Sequence, residues 1–402
     1  MKIEIEYMRR IFSIVFLPCL LWAQTSKFEI NGYGKYMFSS MSYPASDTRY
    51  DDHYLHVRIN SKWYPTPNLT GALELRIRGI YGETVRNTSN YIDQIKSTRD
   101  FARLDAVLWN EKSTVGYAEI DRLWFDYTKN KFQLTAGRQR IAWGTSWVWN
   151  PIDIFNPYSV LDFDYEEKPG VDALRVQYYT GAVSKVEFSV KPGKSESDRI
   201  LGGLCSLNAG EYDFNLIAAM RNHRWILGGG WVGDIRDAGF RGEFTVSKNF
   251  TDQDEYIGDF VSGFPSYRYA GTYNKPVVSF VLSGDYTFSN SFYVHTEVLH
   301  NSNGKTDDIL VYQTQALENG MLTAAKWSIY QEFAYEISPL MRGAIFCLFN
   351  PNDKSSVVVP SLNYSVCTNL DLMAIGLLFN GKTQTEYGDY GKTILLRVKY
   401  SF

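Results

Sequence analysis

The chain has 402 residues, 16% of them aromatic, and a formal net charge of -3. Near-neutral charge points away from nucleic acid as a partner, and the lack of any stretch of about 18 consecutive apolar residues excludes a helical membrane protein. A mean hydropathy of -0.27 beside so many aromatics is the balance of a transmembrane β-barrel, whose strands alternate lipid-facing apolar with lumen-facing polar residues and carry aromatic girdles.

The N-terminus reads as a secretory signal peptide: in "RRIFSIVFLPCLLWAQ", Arg9 and Arg10 precede an apolar run from Ile11 to Trp22, followed by Ala23 and polar residues. Cleavage is expected after Ala23, which leaves 24-402 as the barrel. Glu4 and Glu6 are unusual in such a segment, so Met8 is an alternative start. The run is too short to anchor in a bilayer, which needs about 20 residues, and Pro18 before Cys19 argues against lipidation.

Period-two alternation begins at once. "KFEINGYGKYMF" sets Phe28, Ile30, Tyr36 and Phe38 against Lys27, Glu29, Asn31 and Lys35; "YLHVRINSKW" sets Leu55, Val57 and Ile59 against His56, Arg58 and Asn60; "GALELRIRGIY" sets Leu73, Leu75 and Ile77 against Glu74, Arg76 and Arg78. Charges on one face and apolar residues on the other, strand after strand, mean that one face meets water and the other lipid. The same rule gives strands near 28-40, 53-64, 70-82, 117-128, 131-141, 171-180, 183-192, 198-208, 212-222, 224-234, 238-248, 277-288, 291-302, 326-338, 340-350, 356-367, 369-380 and 391-402.

The predicted fold is therefore all-β, a transmembrane antiparallel barrel of eighteen strands. From a periplasmic N-terminus, long external loops fall at 41-52, 83-116, 142-170, 249-276 and 303-325, and every periplasmic connection is short. The Gly- and Ala-rich stretch 198-234 alternates poorly, and 340-350 is apolar on both faces, which leaves sixteen strands as the alternative count. The last strand, "KTILLRVKYSF", alternates and stops on Phe402, the form of the insertion signal read by barrel-assembly machinery. Outer-membrane lipid and lipopolysaccharide are the expected surroundings. Cys205, Cys347 and Cys367 are expected to be free, because the last two fall far apart on neighbouring strands.

No nucleophile, metal or cofactor motif is present: the histidines lie in no Gly-x-Ser-x-Gly elbow, His-Glu-x-x-His helix or Cys/His cluster. Acid pairs such as Asp51-Asp52 and Asp307-Asp308 read as loop-solvating residues. The lumen is more informative. Parity points Arg58, Lys62, Arg76, Arg78, Arg122, Arg175 and Lys185 inward against Glu74, Asp126 and Glu187, with His56 beside Arg58 and His295 beside Glu297. Charged side chains on a pore wall set selectivity, and this balance predicts anion preference unless opposite charges pair across the lumen. Trp124, Tyr179, Tyr293 and Tyr330 also point inward by parity, a weak signal for sugars.

The densest stretch is "GRQRIAWGTSWVWNPIDIFNP", Gly137 to Pro157. With Phe132, Leu134 and Ala136 facing lipid, strict alternation sends Arg138 and Arg140 outward too, so a β-bulge at Gly137 is expected to turn both into the lumen. Beyond it, Trp143, Trp147, Trp149, Asn150, Asp153 and Asn156 furnish a loop too structured for a floppy tether. It either folds into the pore as a constriction or packs over the rim as a lid.

Together with "EEKPGVDALRVQYY", the stretch resembles a family of bacterial outer-membrane porin-like proteins in which a Gly-Arg-Gln strand end leads to an Asn-Pro-x-Asp-x-x-Asn-Pro loop. It is more distantly similar to alginate-export-type barrels. The resemblance implies an eighteen-stranded barrel with Arg138, Gln139 and Arg140 in the Gly-Arg-Gln-Arg element. The functional expectation is a porin-like channel for passive diffusion of small polar or anionic solutes. The alternatives are export of an acidic polysaccharide, a barrel enzyme, which would show a His beside Ser or Asp at one lumen rim, and a surface-binding protein using the external loops.

Overall fold

The computed structural model describes residues 27–42, 48–96, 101–156, 161, 163–164, 167–195, 198–250, 253–261, 264–313, 316 and 321–402. The expected signal segment, 1-23, lies outside the described residues. Strands β1 (Phe28–Ser42), β2 (Arg49–Thr66) and β3 (Leu69–Gly82) lead into two single-turn helices, α1 (Glu83–Asn87) and α2 (Tyr91–Ile95), then β4 (Asp105–Asn110). Next come β5 (Thr114–Lys129), β6 (Phe132–Gln139), β7 (Val171–Tyr179), β8 (Lys185–Lys191), β9 (Ile200–Ala209), β10 (Tyr212–Arg221), β11 (Arg224–Ile235) and β12 (Ala238–Asn249). The rest are β13 (Gln253–Val261), β14 (Phe264–Tyr273), β15 (Val277–Thr287), β16 (Phe292–Asn301), β17 (Trp327–Ser338), β18 (Met341–Phe349), β19 (Ser356–Cys367), β20 (Leu370–Asn380) and β21 (Lys392–Ser401).

Neighbours pair antiparallel in chain order, and β21 returns to β1 with Tyr400 opposite Gly34, so the sheet closes and no edge is exposed to lipid. Nineteen strands belong to this sheet; β4 only lines the upper edge of β5, so eighteen form the ring, one for each strand that alternation predicts. The molecule is a closed antiparallel barrel of the outer-membrane type. What alternation missed lies in the loops: α1, α2 and β4 within 83-116, and the β13–β14 hairpin within 249-276. A six-residue strand such as "DAVLWN" is too short to show a period. β2 also begins four residues early, so Asp51 and Asp52 sit on a strand, where Asp52 accepts the Thr84 amide at 2.9 Å and docks α1.

The outer face is apolar. Leu73, Phe125, Leu174, Phe188, Leu216, Leu227 and Leu396 are exposed, and Trp63, Tyr127, Tyr178, Phe288, Tyr335, Tyr364 and Tyr400 ring the end with the short turns. That aromatic belt marks a membrane interface.

The two weak regions of the alternation share one physical cause: there the inner face is apolar as well. Ile200, Leu204, Ile217, Ala219 and Ile226 pack inward against Ile141, Trp143, Ile152, Ile154 and Phe155. On the other side, Met37, Val281, Leu299, Leu348, Val357, Val359, Ile375, Leu377 and Leu395 form one buried cluster with Val148 and Trp149. Both partner sets come from the connection between β6 and β7, so these strands are buried on two faces, one by lipid and one by protein. Gly202 makes the closest approach, since a Cβ there would stand 2.7 Å from the Trp143 ring. Gly202→Val should therefore cost about 1–3 kcal/mol by overpacking, read as a lower temperature for loss of the compact, heat-modifiable band of the detergent-folded barrel.

Candidate functional site

Residues 143–152 of the β6–β7 connection lie inside the ring, bonded to inward-facing side chains of β8, β10, β12 and β16. Gln139 and Arg140 lead it off the wall. Trp143, 1% exposed, donates its indole N–H to Glu187 on β8 at 2.8 Å, and Asn215 on β10 donates to the Trp143 carbonyl at 3.2 Å. The ring of Phe155 meets Trp143 edge-on, with centroids 5.0 Å apart. The Asn-Pro steps then bend the chain back: Asp153 N–H bonds the Asn150 carbonyl at 3.0 Å, and the Asn156 side chain bonds the Pro169 carbonyl at 2.5 Å.

Two glutamates hold the crossing. Glu243 on β12 accepts the amides of Thr145, Ser146 (2.8 Å) and Ile152 (3.2 Å), with the Thr145 hydroxyl at 3.1 Å. Glu297 on β16 accepts the amides of Trp147 (3.3 Å), Val148 (3.4 Å) and Trp149 (2.6 Å). Both residues are fully buried. An irregular segment has amides without ladder partners, and a buried carboxylate needs donors, so each satisfies the other. Sequence reasoning placed Glu297 beside His295 and overlooked Glu243; the only signal was an inward acid in "RGEFTVS".

The return limb docks on β1 to β3. Asp164 pairs with Lys35 and with His56, both at 3.3 Å, and with Arg78 at 3.7 Å; Glu167 accepts from Tyr33 at 3.0 Å and faces Arg58 at 3.8 Å. Burial works against ionisation of Asp164, but the His56 hydrogen bond and the charges of Lys35, His56 and Arg78 outweigh it and hold the carboxyl well below the usual range. Asp153, paired with Lys168 at 2.9 Å, is pushed up by burial.

The basic wall is largely paired. Arg58 reaches Asp121 at 2.7 Å and Glu74; Arg76 reaches Glu119 at 2.6 Å; Arg122 reaches Glu74 at 3.6 Å; Arg175 and Lys185 share Glu187 at 2.7 and 3.0 Å. Parity missed Glu119 and Asp121 because a bulge in β5, where Glu74 and Leu75 pair with Arg122 and Ile120, shifts the inward set by one residue. Asp126 accepts from Gln133 and Thr135 at 2.7 and 2.6 Å. A recess of about 420 Å³ remains on this wall, lined by Lys62, Arg122, Trp124, Asp126, Gln139, Arg140 and Arg175 among others. Among the described residues, no carboxylate lies within ion-pair distance of Lys62 or Arg140.

Two expectations need correction. There is no bulge at Gly137: β6 pairs residue for residue with β5 and β7, placing Arg138 opposite Leu123 and Asp172. Gly137 contributes a φ of +117° instead. Arg138, 3% exposed, is not a pore-lining residue; it lies where β6 ends, bound to Asp172 at 2.9 Å and to the carbonyls of Ala102 and Ile120. A salt bridge and the β4 approach, rather than a turn into water, neutralise it. The wall is also less basic than parity implied, since Glu119, Asp121, Asp164 and Glu167 join it.

A His beside Ser does occur in the lumen: Ser283 Oγ lies 2.9 Å from His295 Nε2, with Glu332 3.9 Å from Nδ1. Ser283 and His295 are each 1% exposed, and Glu297 stands 3.6 Å from the same Nε2. The hydroxyl and the ring are thus buried against Glu297.

No family model matches the sequence, and no curated protein matches it. Among solved structures, the chain is similar to OccAB2 of Acinetobacter baumannii, with a TM-score of 0.58 at 9% identity over 93% of this chain and 98% of that one. OccAB4 of the same organism gives 0.58 at 10% over 94% and 99%. OccK5 of Pseudomonas aeruginosa gives 0.56 at 7% over 94% and 98%. The likeness is one of fold: a closed antiparallel barrel matched over nearly the full length of each chain.

Removing an anchor should free the crossing. Glu243→Ala or Glu297→Ala is expected to lose about 1.5–3 kcal/mol of loop docking, seen as protease cleavage within 140–156 in a barrel that otherwise stays intact. The Asp164 contacts have a defined pH dependence. With its pKa depressed, their contribution is complete above the ordinary carboxylate range and disappears only as pH falls through the lowered value. Wild type and Asp164→Asn should thus differ equally in thermal stability at pH 7 and pH 5, and converge only in strong acid.

Proposed function

We propose that the protein is an outer-membrane channel through which small polar solutes, anions preferred, diffuse passively. The observation that carries this reading is the β6–β7 connection anchored across a water-facing lumen inside a closed eighteen-stranded ring: it narrows the passage without filling the recess beside it. Resemblance in fold to Occ-type porins supports it. The selectivity-bearing residues are Lys62 and Arg140, which line the recess with no carboxylate at ion-pair distance among the described residues, with Arg122 and Arg175 behind them. Arg58, Arg76 and Arg78 serve mainly to hold the wall and loop together. Trp143, Trp149, Asn150, Asp153 and Asn156 form the constriction's frame.

Purified protein in planar bilayers should conduct, with a reversal potential in a salt gradient that favours anions. Lys62→Gln with Arg140→Gln should lower the anion-to-cation permeability ratio by about a factor of two, whereas Arg138→Gln should reduce stability and leave selectivity alone. Absence of conductance, or cation preference in the wild type, would overturn the reading.

A further inference from the structure

Among the described residues, the loop presents Trp147 to the lumen instead of the wall. Trp147 is 60% exposed, although its neighbours Val148 and Trp149 are buried at 6% and 9%. Its position is nonetheless fixed. The amide is held by Glu297, and the Arg241 guanidinium lies over one face of the ring, 4.7 Å from the centroid. Arg241 is itself positioned by Asp285 at 3.0 Å and by the Thr145 carbonyl at 3.4 Å. The cation–π contact uses one face of the indole, and the exposed remainder is available to a second flat or puckered ring.

The wall beside it is polar and charge-balanced. Tyr293 stands among Asp285, Glu332, Arg241 and Arg342, with Arg342 paired to Glu332 at 3.5 Å and Tyr330 donating to Glu332 at 3.0 Å. This differs from the recess across the lumen, where cations outnumber the single lining carboxylate. Paired charges leave no field to retain an ion, but they supply donors and acceptors side by side, the complement of vicinal hydroxyls. An aromatic platform flanked by such pairs matches a pyranose, whose C–H face stacks while its hydroxyls bond outward.

We infer that Trp147, Arg241, Asp285 and Tyr293 form a lumenal subsite for a neutral carbohydrate ring. The inference rests on the channel reading and narrows it to a solute class. Maltose is the probe, added at millimolar concentration to single channels in a planar bilayer and, separately, to the folded barrel in detergent while tryptophan fluorescence is read. Maltose should block the ion current and perturb the fluorescence. Trp147→Ala should raise the half-blocking concentration by about three- to tenfold, and Trp147→Phe should restore most of it. If Trp147→Ala fails to fold, Asp285→Asn is expected to weaken block in the same direction. A conducting wild type that maltose neither blocks nor perturbs, or equal block in wild type and Trp147→Ala, would overturn the subsite and leave the channel standing. A fluorescence response in a barrel that does not conduct would sustain the subsite and remove the channel.

Discussion

The interior depends on an exchange between two carboxylates and six amides. A segment that leaves a β-ladder and crosses the middle of a barrel carries backbone N–H groups with no partner, and a glutamate facing the lumen under protein cover carries a charge with no water. Glu243 and Glu297 are spaced so that the first gathers amides on both sides of the Trp147 turn and the second gathers those of the turn itself. With those bonds made, Trp143, Ile152 and Phe155 can pack on one wall and Val148 and Trp149 on the opposite one. Without them, the apolar contacts would come at the expense of unsatisfied amides.

The ring was legible in the sequence because its physical cause is local. Lipid on one side and water on the other force period two, and most of the eighteen ring strands show it. The interior was legible only in part, because its causes are non-local. Arg58 and Arg78 alternate regardless of their partners, so parity placed them, but Glu167 and Asp164 reach them from over eighty residues away. The β5 bulge at Asp121 leaves no mark in a sequence whose alternation resumes on either side of it. Arg138 failed for the opposite reason: local cost argued for a turn inward, and Asp172 across the strand removed that cost.

The poorly alternating strands carry the same lesson. Gly202, Leu204, Ala219 and Leu348 looked like noise in a lipid-water pattern, yet they mark where the inner face meets protein in place of water. In a barrel with a folded-in connection, loss of alternation locates the footprint of that connection.

The footprint also limits how the molecule could be remodelled. Met37 on β1 and Leu395 on β21 flank the line where the ring closes, and both belong to the buried cluster that holds Val148 and Trp149. Trimming the β6–β7 connection would not yield the same conduit with a larger bore. It would strip the covering from a greasy inner lining that spans the closing seam, leaving a cylinder oily on both surfaces and short of reasons to stay round.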